Sequence, residues 1–490
     1  MPASRRRVHH AVAALALAAV AAISASPLRA QEKTPVAAPS TAQIQTDLVK
    51  RGQYLSIASD CAACHTIPGS KQLFAGGYAI ASPMGKIYSS NITPSKQFGI
   101  GNYTEAQFAA AVRDGINAKG EHLYPAMPYP SYAQMTDADI SALYAYFMHG
   151  VAPVEQPAQA TKLAFPFNIR ASMIGWNMMF LHSQRFADDT TKDAAWNRGK
   201  YLVDTLAHCS ECHTPRNSMM ALQGGSALYS GSALGSWHAP NITSDKIDGI
   251  GGWSDAELST YLTTGHVDGK AQAAGPMAEA ITNSLQYLKP DDVRAIVTYL
   301  RTLPPASTPG QTQAAYAHGK ASDTDADISG IRPMQVDMAD MQGEELYANV
   351  CASCHQPTDE GTKDGFYPSL LHNTATGGAT PDNLVATILY GVDRHVGDKD
   401  VLMPGFGPDS EVQALTDEQI ARLSNYVFKQ FGNAALSVTA ADVATARAGG
   451  PTPLIAKAAV PAMWIGALIV LLIVVLLIRF ARRRKLAARH

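Results

Sequence analysis

Cys61-Ala62-Ala63-Cys64-His65 returns twice along the chain, as Cys209-Ser210-Glu211-Cys212-His213 and as Cys351-Ala352-Ser353-Cys354-His355. Together the three copies use all six cysteines of the 490 residues. Residues three apart lie on one face of a helical turn. Two thiols so placed can add to the two vinyl groups of one haem, and the His that follows then reaches the iron from the proximal side. Paired cysteines also serve zinc sites and dithiol redox couples. A His in the same place three times, no spare Cys and an odd number of pairs argue against both. The motifs predict three covalent haem c groups, held at Cys61, Cys64, Cys209, Cys212, Cys351 and Cys354, with His65, His213 and His355 as proximal ligands.

The motifs sit in repeated sequence. Arg51-Gly52-Gln53-Tyr54-Leu55, Arg198-Gly199-Lys200-Tyr201-Leu202 and Gly343-Glu344-Glu345-Leu346-Tyr347 precede them and read as short helices. Each repeat closes on an amphipathic helix with an acidic cap region, starting near Thr136-Asp137, Lys289-Pro290-Asp291 and Thr416-Asp417-Glu418. The expected core is two helices crossing beside each haem. The fold class is therefore mainly α: three tandem cytochrome c-like domains at 45–150, 190–305 and 339–433. The first two match more deeply. Asn91-Ile92-Thr93 recurs as Asn241-Ile242-Thr243, and Gly115 as Gly265. Asn91 opens a glycosylation sequon, but a turn held by its own side chain is the reading preferred.

A sixth ligand is expected from the loop opposite each motif. Met127 lies in the Pro-framed run Tyr124 to Pro130. Met277, 150 residues on, lies in Ala274-Gly275-Pro276-Met277. Met403 is the only Met between His355 and Phe431. Met84, His122, His266, His372 and His395 are the competitors. His/Met ligation raises the potential relative to bis-His.

The ends set the topology. Arg5 to Arg7 followed by the apolar run Ala11 to Ile23 read as an export signal over 1–30. Residues 461–479 are expected to cross the membrane, because Ala462 to Ile478 carries no charge. Arg479 and the basic tail 480–490 should stay cytoplasmic, which places the haem domains on the periplasmic side of a single-pass inner-membrane protein. The 39 basic residues include ten in these two ends, leaving the external part 29 against 41 acidic, about −12. An acidic exterior offers nothing to nucleic acid.

Three connectors remain. Phe165 to His182 is expected to pack between domains or to rest on a partner or the membrane. The linker 306–338, rich in Pro, Ser, Thr and Ala, reads as flexible or draped on the surface. Asn433 to Lys457 reads as a tether before the membrane helix.

From about Arg51 to Gly432 the chain resembles the triheme cytochrome c subunits of bacterial membrane-bound dehydrogenases. Asn91-Ile92-Thr93-Pro94, Tyr124-Pro125-Ala126-Met127-Pro128-Tyr129 and Cys212-His213-Thr214-Pro215-Arg216 carry the resemblance. Ala274 to Ala280 and Ile388 to Arg394 are most similar to the fructose dehydrogenase branch, whose relatives act on gluconate, sorbitol and alcohols. The resemblance implies a non-catalytic electron carrier and His/Met ligands at His65 with Met127, His213 with Met277 and His355 with Met403. It also implies a separate catalytic subunit, a flavoprotein in this branch, with a small third subunit and ubiquinone as acceptor. The alternatives are a subunit of an alcohol or aldehyde dehydrogenase, a cytochrome serving a terminal oxidase, and a haem enzyme with an open iron position.

Overall fold

The computed structural model describes residues 41–82, 84–320, 337–363 and 365–487. The expected signal peptide, residues 321–336 of the linker and the last three residues of the tail lie outside them. Contacts divide the chain into Met1–Ile44 and Gln45–His490. Only the last four residues of the first unit are described, as the start of a helix over Thr41–Ala58.

Each repeat is built on two crossing helices. The pairs are Thr41–Ala58 with Asp137–His149, Ala194–Tyr201 with Pro290–Leu300, and Gly343–Val350 with Asp417–Phe431. The closing helices begin where the cap residues require. The Thr136 hydroxyl accepts from the Asp139 amide. Thr416 and Gln419 form a reciprocal capping box. Pro290 takes the first helical position, where a missing N–H costs nothing.

The crossing explains the glycine in each repeat's opening motif. A Cβ on Gly52 would lie 1.9 Å from the Ala142 carbonyl oxygen, and one on Gly199 1.9 Å from that of Ala295. On Gly343 it would lie 2.4 Å from the Arg422 oxygen. Only a bare Cα lets the two backbones approach this closely.

The first two repeats share one apolar core, running from Leu55 through Phe147 and Leu202 to Leu303. The third has its own, from Leu346 to Val443. Hydrogen bonds swapped between the first two repeats reinforce their union. The Tyr54 hydroxyl donates to Asp292 at 2.5 Å, and that of Tyr201 donates to Asp139 at 2.6 Å. Each aspartate also pairs with its own repeat's arginine, Arg51 with Asp139 at 2.6 Å and Arg198 with Asp292 at 2.7 Å.

The connectors are more ordered than their composition suggests. Trp176, in the helix Ser172–Phe180, packs edge-on against Tyr129 of the first repeat. Its indole N–H donates to the Met219 carbonyl of the second, at 2.9 Å. Phe165 to His182 therefore does pack between domains, although Met178 and Met179 face solvent. The linker is draped at its start, with Tyr316 edge-on to Trp253.

The tether expectation is corrected. Its first half packs on the third domain, through Val438 and Val443, both buried, and the helix Ala440–Arg447. Asn425 holds the backbone of Val438 in both directions, and Arg447 pairs with Asp417 at 2.7 Å. The apolar helix also starts earlier than expected. It runs unbroken over Leu454–Ala487 with Pro461 inside it. Leu454–Phe480 is the one helix among the described residues long and apolar enough to cross a membrane, with mean hydropathy 2.9 over its most apolar 18 residues and its side chains exposed.

Candidate haem sites

Each Cys-x-x-Cys-His stretch folds as a single helical turn. The His213 amide donates to the Cys209 carbonyl at 3.0 Å and that of His355 to Cys351 at 2.9 Å, while Cys61–His65 is itself a short helix. The turn follows the crossing helix within a few residues, by way of the π-helical segment Leu202–Leu206 in the second repeat, so the helix pair fixes where the thiols lie. Desolvation pushes the Cys61, Cys209 and Cys351 thiols up to about 12. A dithiol redox couple needs the opposite shift, toward thiolate.

The three histidines share one arrangement. Nδ1 lies 2.7 Å from the Ser90 carbonyl oxygen in His65, 2.7 Å from that of Pro240 in His213, and 2.8 Å from that of Pro368 in His355. A carbonyl can only accept, so each Nδ1 carries the proton and each Nε2 keeps its lone pair. Burial lowers the pKa of all three imidazoles and so favours their neutral form. A neutral ring with a free, oriented Nε2 is what an iron ligand needs. The carbonyls that orient the rings escape the sequence reading. Their signal was available: Ser90 and Pro240 each stand just before the repeated Asn-Ile-Thr, 150 residues apart. That repeat is the turn expected. The Thr93 amide donates to Asn91 Oδ1 at 2.9 Å and that of Thr243 to Asn241 Oδ1 at 2.8 Å. Each Asn also ties its loop to the segment leaving the domain, at Val154 and at Ala306.

A cavity of about 1710 Å³ joins two of the sites. Cys209, Cys212, His213 and Met277 line it, together with Cys351, Cys354, His355 and Met403. Small-ligand pockets run to roughly 1,000 Å³, so this space fits more than one large planar group. Cys64 of the first motif also borders it, and the helix carrying Met277 packs on the turn Cys61–His65. Residues of all three motifs thus border one cavity.

The three methionines stand in different local structures, where a loop position was expected for each. Met127 is half-buried against the shared core, in a turn where the Tyr129 amide donates to its carbonyl at 2.7 Å. Met277 stands in the first turn of the helix Gly275–Asn283, and Met403 ends the strand Lys399–Met403. Two competitors have other partners. His395 is engaged at both nitrogens, by Asp400 and Asp393. His266 borders the cavity, but its Nε2 is held by Asp268 at 2.6 Å.

The cytochrome c family profile matches residues 49–150, 197–304 and 341–430, one match on each helix pair and its motif. The fructose dehydrogenase cytochrome subunit of Gluconobacter japonicus is 50% identical over 93% of both chains. The chain belongs to the cytochrome c family, among the cytochrome subunits of bacterial membrane-bound dehydrogenases. Two further relatives stand at 38% identity. The cytochrome c subunit of the quinone alcohol dehydrogenase of Gluconacetobacter polyoxogenes aligns over 84% of this chain and 86% of its own. The cytochrome c subunit of the gluconate 2-dehydrogenase of Pantoea cypripedii aligns over 83% and 90%. This cytochrome subunit carries three haem c groups, one for each matched region, and serves electron transfer.

Proposed function

We propose that the chain is the electron-transfer subunit of a fructose dehydrogenase-like complex, taking electrons from a catalytic flavoprotein and delivering them to ubiquinone. The half-identical relative over nearly the whole of both chains supports the branch. The observation that supports the transfer role is one cavity bordered by residues of all three Cys-x-x-Cys-His motifs. Cys61 and Cys64, Cys209 and Cys212, and Cys351 and Cys354 hold the groups, in domains at 45–150, 190–305 and 339–433. His65, His213 and His355 ligate through Nε2, with Met127, Met277 and Met403 opposite. Bound haem c supplies a one-electron couple. The protein orients each imidazole, excludes water around the motif and sets neighbouring sites side by side. The apolar helix over Leu454–Phe480 anchors the chain, with the haem domains periplasmic and the basic tail cytoplasmic. A small third subunit completes the assembly.

Fructose should reduce the haems of the chain purified with its catalytic subunit and leave the isolated chain oxidised. Reduction of the isolated chain, or co-purification with an oxidase core in place of a dehydrogenase, overturns this reading. The ligand assignment has its own test. Met127→Ala, Met277→Ala and Met403→Ala should each remove about a third of the near-infrared Met-to-iron band of the oxidised protein. A variant that keeps the whole band shows its methionine is not a ligand.

A further inference from the structure

Arg394 belongs to the third domain by sequence and to the second by contact. It sits mid-strand in Val392–Val396 and is 2% exposed. Nη1 donates to the Ala273 carbonyl at 2.7 Å and Nη2 to Gln272 Oε1 at 2.8 Å. Nε is buried without an acceptor. Among the described residues Arg394 makes no ion pair, and desolvation pulls its pKa below the usual guanidinium value. A buried cation with only neutral acceptors is expensive, so a counter-charge is expected. The side chain borders the same cavity as Cys209, His213 and Met277.

The first domain handles the equivalent place differently. Gly115 and Gly265 are matched residues, both in left-handed backbone. Each carbonyl accepts from the residue eight further on, Leu123 at 2.7 Å and Ala273 at 2.8 Å. Beside Gly115 the space is filled by the domain's own Tyr129 ring, 2.7 Å from where a Cβ would stand. Beside Gly265 it is filled by the Arg394 side chain, its Cδ at 2.7 Å. The third domain supplies a cation where the first uses its own phenol.

We propose that Arg394 is a working part of the second haem site, pairing with a propionate carboxylate of the haem held at His213 and raising that haem's potential. The proposal rests on the assignment of His213 and Met277 as ligands. Haem c brings two carboxylates of its own, which are the counter-charge this guanidinium lacks. A fixed positive charge there favours the reduced iron, which carries one positive charge fewer. Arg394 acts on the iron through the cofactor's periphery and is a positioning and tuning residue.

The test is a potentiometric titration of the full complex, with haem stoichiometry measured first. Met277→His and Met403→His mark which wave belongs to which site, because bis-His ligation lowers a potential. Arg394→Gln should move one wave to lower potential, the wave that Met277→His displaces. Gln272→Glu sets a carboxylate beside Nη2, neutralises the guanidinium in place and should move the same wave the same way. Gln272→Glu decides alone if Arg394→Gln fails to mature. Three bound haems with that wave unmoved overturn the proposal, as does movement only of the wave marked by Met403→His. Fewer than three haems in the parent protein would instead sink the site assignment beneath it.

Discussion

Gly199→Val should abolish maturation of the second haem domain. A Cβ at this position meets the Ala295 carbonyl oxygen at 1.9 Å, and backbone cannot swing aside as a side-chain tip can. The helices Ala194–Tyr201 and Pro290–Leu300 would have to separate, taking the following Cys209–His213 turn with them. Overpacking of this kind costs about 3 kcal/mol. Covalent haem content should fall from three groups to two, and melting should begin earlier. Gly224→Ala is the control, since nothing lies within 4 Å of a Cβ there. A Gly199→Val protein with three haems and unchanged melting would mean that the helix crossing does not position the motif.

Losing both aspartates that bridge the first two domains should loosen their interface. Asp139→Ala strands the Arg51 guanidinium and the Tyr201 hydroxyl, and Asp292→Ala strands Arg198 and Tyr54. Both arginines reach solvent, so each loss is expected at about 2 kcal/mol, below the value for a fully buried pair. The double variant should lose roughly the sum and become open to proteolysis between the domains, checked by melting and limited trypsin digestion. The pH dependence has a definite sign. Burial alone would raise the Asp292 pKa, but hydrogen bonds and charge from Arg198, with the Tyr54 hydroxyl, outweigh it and the net shift is downward. A carboxyl lowered on folding adds stability above its unfolded pKa and loses it as pH falls through the folded value. The stability gap between the parent and Asp292→Asn should therefore hold at neutral pH and close below about pH 4. A gap that widens on acidification would reverse the assignment of Asp292 as the charged partner.

What the sequence reveals here follows from how local the chemistry is. Cys61, Cys64 and His65, proposed here to hold a haem, form a motif written in five consecutive residues. Capping dictates Thr136, Pro290 and Thr416, so the closing helices begin where their side chains announce. The matched offset of Met127 and Met277 is legible because both stand twelve residues after the matched glycines Gly115 and Gly265. Features made by long-range contact leave no such trace. Tyr54 meets Asp292 across 238 positions, and the bond is invisible until the chain is folded. Arg394 reads as an ordinary strand arginine, because its acceptors lie 121 and 122 residues away. The stretch after Asn433 looks like a tether by composition, yet two valines and one asparagine suffice to pin its start.

The swapped Tyr54–Asp292 and Tyr201–Asp139 bonds also speak to ancestry. Reciprocal contact by equivalent residues is the mark of two identical subunits meeting about a two-fold axis. A one-haem ancestor that paired with itself, and whose gene was then copied in tandem, would leave this signature between the first two domains. The third domain has a separate core and, among the described residues, takes no part in that exchange.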